Sequence, residues 1–92
     1  MNITLQAHGW VKTKIGSSAM EFVLPENSML IDLLNQLAKT IPDNRLDDIW
    51  DKTTGRFLAP IFVIVEQKEV QDFSLRLEEG QTIALISPMA GG

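Results

Sequence analysis

The chain has 92 residues, a formal net charge of −4 and no cysteine, which bounds it to one domain with a modest core and excludes a disulfide scaffold or a thiolate-held metal. The acidic balance disfavours nucleic acid and anionic membrane as partners, because both reward dense positive charge, and favours a basic protein partner. The start, MNITLQAHG, lacks the basic segment and apolar run of a signal peptide, and the longest apolar stretch, FLAPIFVIV, is nine residues broken by Pro60, too short to span a bilayer, so the expectation is a cytoplasmic protein.

Ile3, Leu5 and Ala7 alternate with Thr4 and Gln6, the period of a half-buried strand. GWVKTKIGSSA is polar, with Gly9, Gly16 and two serines, and reads as a loop or a loose hairpin end. MEFVL gives a second strand, stopped by Pro25, which should pair antiparallel with the first. NSMLIDLLNQLAKTIP is the helix. Ser28 is its expected N-cap, since a hydroxyl there accepts from a free amide of the first turn. Leu30, Leu33, Leu34, Leu37 and Ile41 fall on one apolar stripe. Pro42 ends it, because proline disfavours helical geometry in the residue before it.

Residues 43–59 carry a short helical turn around Leu46 to Trp50 and a turn at Thr54-Gly55. IFVIV is the third strand, EQKE a tight turn, and Val70 a brief resumption. DFSLRLEEGQ is a connection turning at Glu79-Gly80, and TIALIS is the last strand. Four or five short strands with one helix make an α+β arrangement with the helix on one face of the sheet. In the third strand Ile61, Val63 and Val65 alternate with Phe62 and Ile64, so both faces are apolar. One helix covers one face only. Phe62 and Ile64, joined by Ile86 from the last strand, should then stand exposed as a partner-binding patch, unless residues 43–59 fold over them.

The remaining residues have plainer readings. His8 falls at the solvent end of the first strand, with no second ligand or nucleophile near it in sequence, and no metal site is expected. Asp43, Asp47, Asp48 and Asp51 form a solvated acidic face, with Asp48 and Lys52 spaced for an i, i+4 ion pair; a docking patch for a basic partner is the alternative. Trp50 reads as a core lid or loop anchor, and Trp10 as exposed.

The order of elements, the stretch EEGQTIALI and the ending PMAGG together resemble the MoaD/ThiS family of sulfur-carrier proteins, and within it the small subunit of molybdopterin synthase. The resemblance implies a ubiquitin-like β-grasp fold over residues 1–86: a mixed four- to five-stranded sheet, the first strand central and parallel to the last, and one main helix whose leucines pack on Ile3, Leu5, Val63 and Leu85. Residues 87–92 become a flexible Gly-Gly tail. The implied activity is that of a carrier, not an enzyme. A separate E1-like adenylating enzyme uses ATP to activate the Gly92 carboxylate, which becomes a thiocarboxylate. The sulfur then passes to an accepting enzyme such as the molybdopterin synthase large subunit, and the carrier binds no cofactor itself. Three alternatives stand beside this. One is a ubiquitin-like modifier joined through Gly92 to lysines; another is a carrier for cysteine, thiamin or siderophore-like products; the third is a binding module whose glycines are inert. EQKE departs from the Asn-Gly type of turn common in the family, and residues 43–59 lengthen the chain beyond its shortest members.

The tail suits that chemistry. An α-carboxyl has a pKa near about 3.3–3.7, so at neutral pH it is an anion and a poor electrophile that needs activation. Gly91 and Gly92 lack a Cβ and can follow a narrow channel. Pro88 stiffens the exit and has no amide to donate to a neighbouring strand. With Met89 and Ala90 between them, residues 87–92 reach about 20 Å when extended, enough to enter a buried site while the globular body stays outside.

Overall fold

β1 (Asn2–His8) buries Ile3, Leu5 and Ala7 and leaves the alternate positions on the other face. β2 (Ala19–Val23) lies antiparallel on one side of it, with Ile3 opposite Phe22 and Leu5 opposite Met20. β7 (Thr82–Ile86) lies parallel on the other side, with Leu5 opposite Ile83 and Ala7 opposite Leu85. β5 (Phe62–Val65) pairs antiparallel with β7 and turns back into β6 (Lys68–Glu69). The strand order is therefore β2-β1-β7-β5-β6. β7 takes the middle place and β1 is its interior neighbour. This computed structural model describes residues 1–88.

The register puts Ile3, Leu5, Ala7, Val63, Val65, Ile83 and Leu85 into one buried cluster with Leu30, Leu33, Leu34 and Leu37 of α2 (Leu30–Thr40). The apolar stripe of the helix and the alternation of the strands thus meet as the sequence expects, and Ile41 adds its side chain just past the last turn. The start of α2 differs. The Ser28 hydroxyl donates to the Pro25 carbonyl at 2.7 Å instead of capping the helix. Met29 is extended and forms a bridge to Arg76, so the helix begins one residue later. Its free amides are taken by main chain from the downstream connection: Leu30 N–H donates to Leu75 O at 2.8 Å and Ile31 N–H to Phe73 O at 2.9 Å. The Asp32 carboxylate accepts the Met29 amide at 2.8 Å. A helix end whose amides are met by a distant segment needs no side-chain cap, and that segment is invisible to a local reading.

Residues 9–18 are not simply a loop. They hold α1 (Trp10–Ile15), which buries Val11 and Ile15, four positions apart on one face, and half-buries Trp10 against the core. Six residues flanked by glycines are too few for a periodic signal. Residues 43–49 wind in hydrogen-bonded turns, with Trp50 N–H donating to Leu46 O at 2.8 Å. The chain then forms a two-stranded ribbon, β3 (Trp50–Asp51) with β4 (Arg56–Phe57), turning through Thr54-Gly55. Because Trp50 enters a strand, Asp48 and Lys52 are not one helical turn apart. Asp48 pairs with Lys14 of α1. Trp50 is buried as an anchor: its Nε1–H donates to Asn35 Oδ1 at 3.0 Å, and its ring meets Phe57 edge-on at 4.9 Å. The β5–β6 turn places Glu66 at φ +51° and Gln67 at φ +67°, the two left-handed positions of a tight hairpin turn, here held without asparagine or glycine.

Candidate functional site

The last strand delivers the chain to the end of the sheet at one defined point. Ile86 closes β7, and Ser87 and Pro88 follow. Ser87 N–H donates to His8 O at 3.0 Å, one further rung on β1. The Ser87 hydroxyl donates to the same carbonyl at 3.1 Å and accepts the Val11 amide at 2.9 Å. Ser87 is 3% exposed, among the most buried polar residues described. The β1–α1 junction at Gly9 passes directly over it. Gly9 has φ +86°, and a Cβ there would lie 2.3 Å from the Ser87 carbonyl oxygen, so both backbone angle and space require glycine. Pro88, the next residue, is exposed. The expected working residues Met89, Ala90, Gly91 and Gly92 lie outside the described residues.

Beside this exit the open face of the sheet brings Phe62, Ile64 and Ile86 together. Phe62 lies opposite Ile86, Ile86 opposite His8, and Ile64 opposite Ala84. Phe62 is 44% and Ile86 37% exposed, while Ile64 is half-buried. The three apolar residues therefore come together across adjacent strands, and His8 extends the row at its solvent end. Residues 43–59 do not bury them. Instead Phe57 packs edge-on with Trp50 and Phe73, and an open groove of about 530 Å³ runs past Phe62 between β4 and residues 69–73, lined in part by Arg56, Phe57, Pro60 and Asp72.

The acidic residues do not gather at this exit. Asp48 is held below the ordinary carboxylate range by its hydrogen bond from Lys14. Asp51 is lowered by the Thr53 amide and then by Thr54, as a turn cap. Asp72 is lowered by the Ser74 hydroxyl and amide. Asp51 and Asp72 each hold a local turn, Asp48 is tied to Lys14 of α1, and Asp43 and Asp47 are exposed. Among the described residues no group of three or more His, Asp or Glu side chains could hold a metal, and no helix is long and apolar enough to cross a membrane. Sequence reading missed Ser87 and Gly9 as a pair. Gly9 was visible as a turn glycine, but its partner lies at the other end of the chain.

No protein-family model and no curated protein matches this sequence. Solved structures match over essentially all of it. SAMP1 from Haloferax volcanii superposes with a TM-score of 0.84 at 17% identity, covering 100% of both chains. Urm1 from Trypanosoma brucei gives 0.78 at 24% identity, covering 99% of this chain and 95% of that one. A putative molybdopterin converting factor, subunit 1, from Pyrococcus furiosus gives 0.75 at 16% identity, covering 97% and 99%. With a mixed five-stranded sheet, an interior parallel pair and one main helix on one face, the chain has the ubiquitin-like β-grasp fold.

Proposed function

We propose that the protein is a sulfur carrier whose Gly92 carboxylate is the working group. The observation that supports this best is the placing of β7. The middle strand of the sheet runs straight into Ser87 and Pro88, so the stretch PMAGG leaves from a fixed point next to the exposed Phe62–Ile86 pair. In the proposed reaction a Gly92 carboxylate oxygen attacks the α-phosphorus of ATP on an E1-like adenylating enzyme. An O–P bond forms and pyrophosphate leaves. Bisulfide then attacks the acyl carbon, a C–S bond forms, the C–O bond to AMP breaks, and a thiocarboxylate remains; no electrons change hands. Two anions react in the first step, so the partner must supply cationic groups or a metal ion. The chain itself contributes the carboxylate, the glycines that admit it to a channel and the apolar surface that docks, and it binds no cofactor of its own.

The pathway proposed is molybdopterin biosynthesis, with a molybdopterin synthase large subunit as the sulfur acceptor. Support comes from the PMAGG ending and from the likeness to the Pyrococcus furiosus protein. The likeness to SAMP1, a small archaeal modifier protein, favours a second reading in which the activated Gly92 is joined to lysine amines of other proteins. Intact mass after incubation with ATP, an E1-like enzyme and sulfide tests the first. The expected product is the thiocarboxylate, in which one oxygen is replaced by sulfur. Absence of any mass change with every cognate activating enzyme sinks the proposal. Lysine-linked conjugates that survive a denaturing gel, with no thiocarboxylate formed, replace it by the second reading.

Phe62→Asp is expected to weaken binding to the adenylating enzyme by at least about tenfold, the scale of losing one well-packed apolar anchor. The side chain is 44% exposed in the free protein, so the thermal midpoint should hardly move. Unchanged affinity in the folded variant removes Phe62 from the docking surface.

A further inference from the structure

We infer that Ser87 and Gly9 form a clamp that fixes where the chain leaves the sheet, which makes Ser87 a positioning residue for chemistry at Gly92. This rests on the carrier reading above. Residues near the end of a domain are poorly ordered unless tied down, and Ser87, just past β7, is 3% exposed and is tied through both its amide and its hydroxyl. The hydroxyl does a job normally done within a helix. The N-cap of α1 is Gly9, which has no side chain and makes no capping bond. Its first turn therefore presents free amides that an N-cap hydroxyl would ordinarily accept. The Ser87 hydroxyl, 76 positions from Val11 in sequence, accepts the Val11 amide instead.

The two residues are complementary in shape as well as in bonding. The space where a residue-9 Cβ would stand is filled by the Ser87 carbonyl oxygen at 2.3 Å and its hydroxyl at 2.5 Å. The capping side chain that α1 lacks has thus been moved to the root of the tail. A side chain at position 9 is ruled out by the left-handed backbone angle and by the space Ser87 fills, so the capping oxygen comes from the root of the tail. What the exchange adds is a fixed departure point. Pro88 follows with a ring-locked φ, which stiffens the exit. From Pro88 onward the chain reaches about 17 Å at full extension. Once the body docks, a fixed root confines the terminal carboxylate to a smaller volume, which raises its effective concentration at the partner's ATP site.

The test compares wild type with Ser87→Ala, which keeps every residue of the tail beyond position 87 and every residue of the Phe62 patch. Two readouts are taken well below the melting temperature: single-turnover adenylation by the activating enzyme at saturating carrier, and amide exchange at Val11 and residue 87. The expected result is a roughly tenfold slower adenylation with partner affinity unchanged within about twofold, accompanied by faster exchange at both amides. Gly9→Ala, which alters neither tail nor patch, should reproduce the same kinetic split wherever it folds. A merely structural serine would lower the melting temperature and accelerate exchange while leaving the single-turnover rate at the wild-type value, and that outcome overturns the positioning role. Unchanged exchange at Val11 in Ser87→Ala overturns the clamp itself. A wild-type chain that is not adenylated at all fails the carrier reading instead, and the exchange comparison still decides whether the clamp exists.

Discussion

Removal of Gly92 is expected to abolish adenylation and to leave the melting temperature where it was. The shortened chain still ends in a carboxylate, now on Gly91, so the loss is one of reach and not of charge. One residue of extended chain is about 3.3–3.6 Å, and a reacting pair must approach to about 3–3.5 Å in line for attack. If the body docks through Phe62 and Ile86 as proposed, a carboxylate one residue short cannot contact the α-phosphorus, and the expected rate loss is at least about a hundredfold. Stability is untouched because the buried core of the described residues runs from Ile3 to Leu85. Intact mass after reaction with ATP and the activating enzyme gives the first result, and a thermal melt of the same samples gives the second. Equal adenylation of the two chains would show that the glycines take no part.

Leu34→Ala is expected to cost about 2–5 kcal/mol, the range for deleting a fully buried leucine. Leu34 is 1% exposed in the middle of the stripe that α2 lays on the sheet, with Leu30, Leu33 and Leu37 on either side. Close-packed neighbours of this kind collapse only in part around a lost isobutyl group. In a domain of this size each 1 kcal/mol moves the melting temperature by roughly 4–8 °C, so the variant should melt at least about 8 °C lower. Val23→Ala is the internal control: Val23 is 80% exposed on the edge strand, and its change should stay within about 0.5 kcal/mol. Urea unfolding with equal slopes for the three proteins measures both. A Leu34→Ala cost below about 1 kcal/mol would mean that α2 is not packed as described.

The parts of this fold that a sequence reading captures are those in which a residue's neighbours along the chain are also its structural context. Alternation in β1 and in β5, and the leucine spacing of α2, belong to that class. So do the turns at Thr54-Gly55 and Glu79-Gly80. The errors share the opposite property. Ser28 looks like a cap because capping is usually local, but the amides of Leu30 and Ile31 are met by carbonyls of Leu75 and Phe73. Asp48 looks like the partner of Lys52, but the nearer cation is Lys14. The helix over Trp10–Ile15 is held by tertiary burial of Val11 and Ile15 and by a serine near the other end of the chain, and no window of ten residues contains that information. The patch of Phe62, Ile64 and Ile86 was legible because alternation alone shows that both faces of β5 are apolar. The clamp beside it was not, since only the parallel register of β1 and β7 brings Gly9 to Ser87.

The middle place of β7 also constrains how the molecule is made. The interior pair, β1 with β7, joins strands at opposite ends of the sequence, as in Leu5 facing Ile83. Closing so long a loop is entropically unfavourable until its contacts form, and topologies dominated by such non-local pairings fold slowly for their size. During synthesis β1 and β2 can form a hairpin and α2 can begin to wind, but β1 keeps an unpaired edge and β5 has no neighbour on its inner side until β7 arrives. The sheet is then completed in one late step, by the strand whose continuation is Ser87 and Pro88. A nascent chain interrupted before Thr82 would expose two unpaired strand edges, the condition that favours aggregation. Only a chain extended past β7, and so on the way to its final glycines, can finish folding.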